Sequence, residues 1–180
     1  MKKTAAVFLD RDGVINECMT SRVRHVNSPN QLHLIPGVSQ AIRELRTAGF
    51  MIFVVTNQGG VGAGFLKEST LRLIHDRLKD ELAKDDAFVD DIAFCAHKPT
   101  AGCICRKPEP GMIKDLAKRY GIDLSKSFMV GDMDTDIAAG AAAGVRTIKI
   151  GEAPVNIFAD FVTSDLAHAA EFIIASIENK

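Results

Sequence analysis

Two groups of carboxylates in this sequence could bind a divalent cation. Asp10 and Asp12 follow an apolar run near the start of the chain, and Asp132 follows a later one, with two more carboxylates within the next four residues. Hard oxygen ligands of this kind suit octahedral Mg²⁺. Alone, the Asp-x-Asp pair is as consistent with a turn or a helix cap, and some of the later carboxylates could cap the helix that follows.

A second cluster has the spacing of a zinc site. Three cysteines and one histidine form the pattern Cys95-x-His97-x₅-Cys103-x-Cys105. Three thiolates and an imidazole match a closed tetrahedral Cys₃His site, whereas catalytic zinc usually keeps an open position. The pattern therefore predicts structural zinc in a loop at 95–105, and the alternative is three buried cysteines beside a surface histidine. The other four histidines have no ligand spacing.

The elements that must position these residues follow from hydrophobic periodicity. Apolar runs predict strands near 5–9, 51–55, 92–95, 128–130 and 145–150, with an edge strand near 161–162. Helical periods lie between them, near 38–48, 68–83, 111–120, 135–143 and 166–177. Strands that are apolar throughout and alternate with helices predict an α/β fold, with a central parallel sheet between two helical layers.

Polar residues follow several of these strands. Asp10 and Asp12 follow the first strand, and Thr56 and Asn57 follow the second. Cys95 and His97 come after the third strand, and Asp132 comes after the fourth. Because ligands bind at the carboxyl ends of parallel strands, these residues are expected to converge on one site. The segment at 14–34 has no helical period and is interpreted as a flap over that site. Taken singly, Thr56 and Asn57 are also consistent with ordinary turn residues.

The composition indicates an ordinary globular protein. The chain has 180 residues, 47% of them apolar and 25% charged, with a formal net charge of −1. One domain over 1–180 is expected, and the absence of a basic surplus argues against a nucleic-acid partner. No apolar run approaches the length of a signal peptide core or a membrane span. We therefore expect a cytoplasmic monomer without a membrane partner, in a reducing compartment that suits its few, clustered cysteines.

Four ordered motifs resemble those of the haloacid dehalogenase (HAD) superfamily. They are Asp10-Arg11-Asp12-Gly13-Val14-Ile15-Asn16, Thr56-Asn57-Gln58, Arg106-Lys107-Pro108 and Gly131-Asp132-x-x-x-Asp136. The resemblance spans residues 10–136 and implies a Rossmann-like fold without a large cap domain. It also implies a Mg²⁺-dependent phosphatase that acts on a small phosphorylated metabolite through an aspartyl phosphate.

The resemblance assigns roles to the aspartates. Asp10 is implied as the nucleophile, and Asp12 as the general acid and base. Mg²⁺ would be held by Asp10, by Asp132 and by the backbone carbonyl of Asp12. Asp136 is expected to orient Lys107 or to support the metal ligands from behind.

The resemblance also implies a phosphate-binding set. Thr56, with the backbone amide of Asn57, would bind the phosphoryl oxygens, and Lys107 would add positive charge to them. Arg106 is the candidate to contact a second anionic group on the substrate. Taken alone, Lys107 could be a solvated lysine before a turn at Pro108, which is what most such lysines are.

The substrate is less closely defined by the sequence. The zinc loop resembles the branch that acts on heptose 1,7-bisphosphates and histidinol phosphate. The first motif and the chain length favour the heptose bisphosphate, whereas the short gap between His97 and Cys103 is more like the histidinol enzymes. Met133 and Ala63 stand where the heptose branch often has basic residues, which leaves Arg106 to recognise a second phosphate. Other sugar phosphates or nucleotides are alternative substrates. A nucleic-acid 3′-phosphatase is an alternative function, and it would need a basic groove. An inactive interaction protein is a further alternative, which the intact motifs disfavour.

Overall fold

A single six-stranded parallel sheet forms the centre of the protein. The computed structural model describes residues 4–178. The strands are β1 (Ala6–Leu9), β2 (Met51–Asn57), β3 (Asp91–Cys95), β4 (Phe128–Gly131), β5 (Arg146–Ile150) and β6 (Phe161–Thr163). Their order is β3-β2-β1-β4-β5-β6, and every pair of neighbours is parallel.

Helices cover both faces of this sheet. They are α1 (Val38–Thr47), α2 (Gly59–Gly62), α3 (Glu68–Ala83), α4 (Gly111–Tyr120), α5 (Asp134–Ala143) and α6 (Leu166–Glu178), with 3₁₀ turns at Pro29–Gln31 and Leu124–Lys126. Alternate side chains of β1 show the two layers. Val7 and Leu9 belong to a core with residues of α1, α3 and α6, whereas Ala6 and Phe8 belong to a core with α4 and α5. The predicted α/β/α sandwich is confirmed.

Two local features differ from the sequence prediction. Strand β2 continues to Asn57, because Thr56 and Asn57 pair in register with the last two residues of β3. These two polar residues therefore end the strand and do not follow it. Helix α2 was not predicted, since its four residues, Gly-Gly-Val-Gly, are too few and too rich in glycine to show a helical period.

The strand order places a switch point beside β1. The chain runs outward from β1 through β2 to β3, and β4 then pairs with the other side of β1. Crevices at such switch points are the ligand-binding positions of open parallel sheets. Asp10 and Asp132 follow the two strands that flank this crevice. No helix within residues 4–178 has the length and apolarity that crossing a membrane requires.

The segment at 14–34 is anchored to the core at its base. Val14 and Ile15 are buried in the same core as α1, and Asn16 forms an antiparallel bridge with Leu34. Further along, Cys18 and Met19 line the cavity that contains Asp10. The segment thus combines buried anchors with a portion that borders the cavity.

Candidate active site

One cavity at the carboxyl ends of the strands contains the predicted catalytic, Mg²⁺ and phosphate-binding residues. It is lined by Asp10, Asp12, Thr56, Asn57, Arg106, Lys107, Asp132 and Asp136, among others. These residues come from four separate parts of the chain. Three of the parts lie at the ends of β1, β2 and β4, and Arg106 and Lys107 lie in the loop between β3 and α4. The convergence expected from the sequence is present for the residues at the ends of the first, second and fourth strands, whereas Cys95 and His97, at the end of the third, lie in a separate cluster with Cys103 and Cys105.

Lys107 is the buried cation of this cavity. Its Nζ lies 2.6 Å from Asp10 Oδ1 and 2.6 Å from Asp136 Oδ1, and it also donates to the backbone oxygen of Val55 at 2.7 Å. Burial alone would lower the pKa of Lys107, but the two carboxylates raise it above its usual value. Lys107 is therefore a fixed positive charge and not a solvated surface lysine.

Asp10 lies at the bottom of the cavity with only 7% of its surface exposed. Burial raises the pKa of Asp10 to about 7, against the opposing effect of Lys107, and the charge of Asp136 adds to the rise. Two buried carboxylates thus share one lysine, which leaves a surplus of negative charge. A cation bound beside Asp10 would neutralise that surplus and favour its ionised form.

Asp132 has the features of an unsatisfied metal ligand. Its Oδ1 is buried and has no hydrogen-bond partner among the described residues. Burial, followed by the charge of Asp136, raises the pKa of Asp132 to about 6. Oxygen atoms of Asp10, Asp132 and Asp136 lie within 4.8 Å of one another, and the set fits a hard divalent cation.

Gly13 makes this approach of Asp132 possible. Its φ angle is +85°, and a Cβ at this position would lie 2.2 Å from Asp132 Oδ2. A side chain here would therefore be strained and would displace the carboxylate. The abrupt turn behind the Asp-x-Asp pair is needed for the contact between the first and fourth motifs.

Asp136 differs from the other two carboxylates because both of its oxygens are occupied. Oδ1 contacts Lys107, and Oδ2 accepts from the backbone N–H of Met133 at 3.0 Å, as in a capping box at the start of α5. This geometry suits the orientation of Lys107 better than direct metal binding.

Asp12 is surrounded by hydrogen-bond donors. Arg11 donates from Nε and Nη2 at 2.9–3.1 Å, Asn16 Nδ2 at 2.9 Å and Gln58 Nε2 at 3.1 Å. Burial alone would raise the pKa of Asp12, but Arg11 and the hydrogen bonds from Asn16 and Gln58 hold it below its usual value. The carboxylate is therefore ionised in this arrangement. Arg11 and Gln58 lie within the first and second motifs, but no pattern in the sequence indicates these contacts with Asp12.

The predicted phosphate-binding residues are held by hydrogen bonds within the protein. Thr56 is 1% exposed, and its Oγ1 accepts from Gln58 at 2.8 Å. The Asn57 side chain accepts from the Lys107 N–H and donates to the Lys107 carbonyl, both at 3.0 Å. These two bonds join the second motif to the third. Arg106 has a buried Nη1 without a hydrogen-bond partner among the described residues, so one donor is free for a ligand.

The cysteine cluster is also assembled. Cys105 Sγ lies 3.0 Å from Cys95 Sγ, 3.5 Å from Cys103 Sγ and 3.2 Å from His97 Nδ1, and Cys95 Sγ lies 3.5 Å from both Cys103 and His97. A tetrahedral zinc with bonds of roughly 2.0–2.3 Å places its ligand atoms about 3.4–3.8 Å apart. The four atoms are thus close to the separations that such an ion requires, and all three cysteines are free thiols.

The arrangement defines a class of enzyme. A parallel α/β sheet presents a buried carboxylate, a lysine and an unsatisfied metal ligand at its switch point, which are the parts that phosphoryl transfer needs. A family profile described as HAD-hydrolase-like matches residues 104–153.

Individual relatives cover far more of the chain. A protein of Rhodopseudomonas palustris named D-glycero-β-D-manno-heptose-1,7-bisphosphate 7-phosphatase is 38% identical over 92% of this chain and 93% of its own length. A protein of Photorhabdus laumondii named for the α anomer is 34% identical over 79% of this chain and 80% of its own. The crystal structure of D,D-heptose 1,7-bisphosphate phosphatase from B. bronchiseptica, complexed with magnesium and phosphate, matches with a TM-score of 0.84 and 36% identity, over 96% of this chain and 99% of that one.

The chain belongs to the HAD superfamily of phosphatases, in the family that contains the heptose-1,7-bisphosphate 7-phosphatases. It is a phosphatase, as the four motifs together implied.

Proposed function

We propose that this phosphatase removes the 7-phosphate of a D-glycero-D-manno-heptose 1,7-bisphosphate through an aspartyl phosphate at Asp10. The observation that carries the proposal is the group formed at the switch point by buried Asp10 and Lys107 and by the half-buried Asp132, whose Oδ1 is buried and unpaired. The names of the relatives and the magnesium and phosphate in the B. bronchiseptica structure support it.

The reaction has two steps. An oxygen of Asp10 attacks phosphorus, the bond from phosphorus to the sugar oxygen breaks, and Asp12, protonated in the substrate complex, gives that oxygen its proton. Asp12 then takes a proton from a water molecule, which attacks the aspartyl phosphate and releases inorganic phosphate and free Asp10. Lys107, Thr56 and the Asn57 amide stabilise the charge on the phosphoryl oxygens throughout.

Asp10, Asp132 and the Asp12 backbone carbonyl would hold Mg²⁺, which when bound supplies positive charge to the phosphoryl group and to Asp10. The unpaired Asp132 Oδ1 supports this assignment. All the proposed residues lie on one chain, which is compatible with a monomer.

The metal assignment predicts a specific pH dependence of Mg²⁺ binding. Protons on Asp10 and Asp132 must leave before the ion binds, and their pKa values are about 7 and about 6. Affinity should therefore rise from pH 5 to pH 7 and level off above it, with a change of up to about 100-fold per pH unit where both groups are protonated. Calorimetric titration at pH 5, 6, 7 and 8 measures this. A dissociation constant that is the same at pH 5 and pH 8 would rule the assignment out, and Asp132→Asn should abolish tight binding.

The second metal is proposed to be structural zinc bound by Cys95, His97, Cys103 and Cys105. Reduced thiols at this site suit a reducing compartment such as the cytoplasm.

The purified protein should contain about one zinc per chain, and Cys105→Ser should lose it. Since Cys105 directly precedes Arg106, hydrogen exchange should increase around residues 98–109 before it does so around Asp10. The matched control is Cys18→Ser, which should keep its zinc. Metal analysis that finds no zinc, with four freely titrating thiols, would contradict the proposal.

Substrate choice is proposed to depend on Arg106. Arg106 lines the cavity and has a buried Nη1 without a hydrogen-bond partner among the described residues, while Met133, 59% exposed, adds no charge there. We expect kcat/KM for heptose 1,7-bisphosphate to exceed that for histidinol phosphate by at least about 100-fold. Arg106→Met should reduce this ratio more than it reduces turnover of a simple monophosphate. The short zinc loop keeps histidinol phosphate as the second candidate, and equal or higher kcat/KM for it would reject the heptose assignment.

A further inference from the structure

His75 is a buried histidine next to the catalytic cavity that the proposed mechanism does not use. It lies on α3 with 6% of its surface exposed, and its Nε2 is 3.3 Å from Arg11 Nη1. Its ring also packs against Phe94, with the ring centroids 5.5 Å apart. The imidazole is thus held on one side by an aromatic ring and on the other by a guanidinium.

Arg11 is the link between His75 and the cavity. This side chain is only 1% exposed, although it carries a full positive charge. Its Nε and Nη2 donate to Asp12, and its Nη1 faces His75. A buried guanidinium requires acceptors for its donors, since each unpaired donor costs free energy. The planar fork is therefore fixed from both ends.

The protonation state of His75 fits this arrangement. Burial, followed by the charge of Arg11, lowers the pKa of His75 to about 3. The neutral ring has one nitrogen with a lone pair, which at Nε2 accepts the hydrogen bond from Arg11.

We propose that His75 is a positioning residue for Asp12, acting through the Arg11 guanidinium to set the orientation of the Asp12 carboxylate. The inference rests on the proposed role of Asp12 as the general acid. His75 accepts from Nη1, so the fork presents Nε and Nη2 to Asp12 in one fixed plane. Without that acceptor the guanidinium rotates toward another hydrogen-bond acceptor, and the Asp12 carboxylate is no longer held in one orientation.

This role should affect one step of the reaction more than the others. Leaving-group protonation depends on the position of Asp12, and it matters for an alkyl phosphate such as a sugar phosphate. It matters little for p-nitrophenyl phosphate, because p-nitrophenolate leaves without a proton. The parameter kcat/KM covers the steps up to release of the leaving group, so it is not affected by the later hydrolysis of the aspartyl phosphate.

The experiment compares His75→Leu with His75→Gln on both substrates. The leucine side chain fills the space without an acceptor, whereas glutamine has a carbonyl oxygen that can accept from Arg11. For His75→Leu we expect kcat/KM to fall about 10- to 100-fold with the sugar phosphate and less than about 3-fold with p-nitrophenyl phosphate. His75→Gln should recover most of the loss. If His75→Leu does not fold, Arg11→Lys provides the same test, because an ammonium cannot contact both His75 and Asp12 as the fork does.

Asp12→Asn, measured in parallel, distinguishes a failure of the acid role of Asp12 from a failure of the positioning role of His75. Full activity of Asp12→Asn on the sugar phosphate would show that the proposed acid is wrong, and the inference would fall with it. If Asp12→Asn is impaired while His75→Leu is unchanged, or falls equally with both substrates, only the positioning role is overturned. A selective loss in His75→Leu that glutamine restores supports the role.

Discussion

The Asp10→Asn variant is expected to lose at least about 10⁴-fold in kcat while keeping its fold, because it removes the nucleophile itself. An amide of the same shape still fits between Lys107 and the end of β1, but its oxygen cannot form the acyl phosphate. Turnover of any phosphomonoester tests this, with Asp76→Asn as a control that changes an exposed carboxylate of α3. If the turnover of Asp10→Asn is close to that of the control, Asp10 is not the nucleophile.

The same variant should alter stability in a direction set by the pKa of Asp10. That pKa is about 7 in the folded protein, above its ordinary value of 3.8. The folded state therefore binds more protons than the unfolded chain between these values, and this group makes stability fall as pH rises from about 4 to 7. In Mg²⁺-free buffer, the unfolding midpoint of Asp10→Asn should accordingly fall less between pH 5 and pH 8 than that of the unmodified protein. Circular dichroism melts measure it.

Lys107→Met is the variant with the second largest expected effect. It leaves Asp10 and Asp136 buried without their shared positive charge, and breaking a buried pair costs about 3–5 kcal/mol of unfolding free energy. Turnover should fall by roughly 10²- to 10³-fold, because a charge on the phosphoryl oxygens is also lost. Denaturant unfolding should show the larger deficit at pH 8, since at pH 5 Asp10 can take up a proton.

Two further variants separate charge from packing at Lys107. Lys114→Met, at an exposed position of α4, should change neither stability nor turnover appreciably. Adding Asp136→Asn to Lys107→Met should recover part of the stability, because one unpaired carboxylate is removed, but none of the turnover. A single Lys107→Met variant as stable as the unmodified protein at pH 8 would show that the three charges do not form the buried group described above.

The sequence was sufficient to predict the parts of the site that depend on strand ends. Asp10 and Asp132 are far apart in the sequence, yet each follows a recognisable strand, and the parallel sheet necessarily brings strand ends to one edge. Lys107 lies in the loop between β3 and α4, and its motif, not a strand end, marked it as a site residue. The cysteine cluster was predictable for a different reason, because its spacing within eleven residues already constrains a metal site.

The contacts around Asp12 could not be predicted in this way. His75 lies on the helix stripe of Leu71, Ile74 and Leu78, so the periodicity marks it only as a core position. Which buried group it meets depends on how α3 docks on the sheet, which no local pattern specifies. The sequence signal for the contact between His75 and Arg11 is a histidine on an apolar helix stripe together with an arginine in the first motif.

Transfer of the phosphoryl group to Asp10 is tested most directly by trapping the aspartyl phosphate. Protein mixed with substrate is quenched in acid within the first turnover, reduced with borohydride and analysed by peptide mass spectrometry. An aspartyl phosphate is reduced to homoserine, so the account predicts homoserine at position 10 and at no other aspartate, and none when substrate is omitted. Active protein in which position 10 stays aspartate, or in which homoserine replaces Asp12 or Asp132, would contradict it.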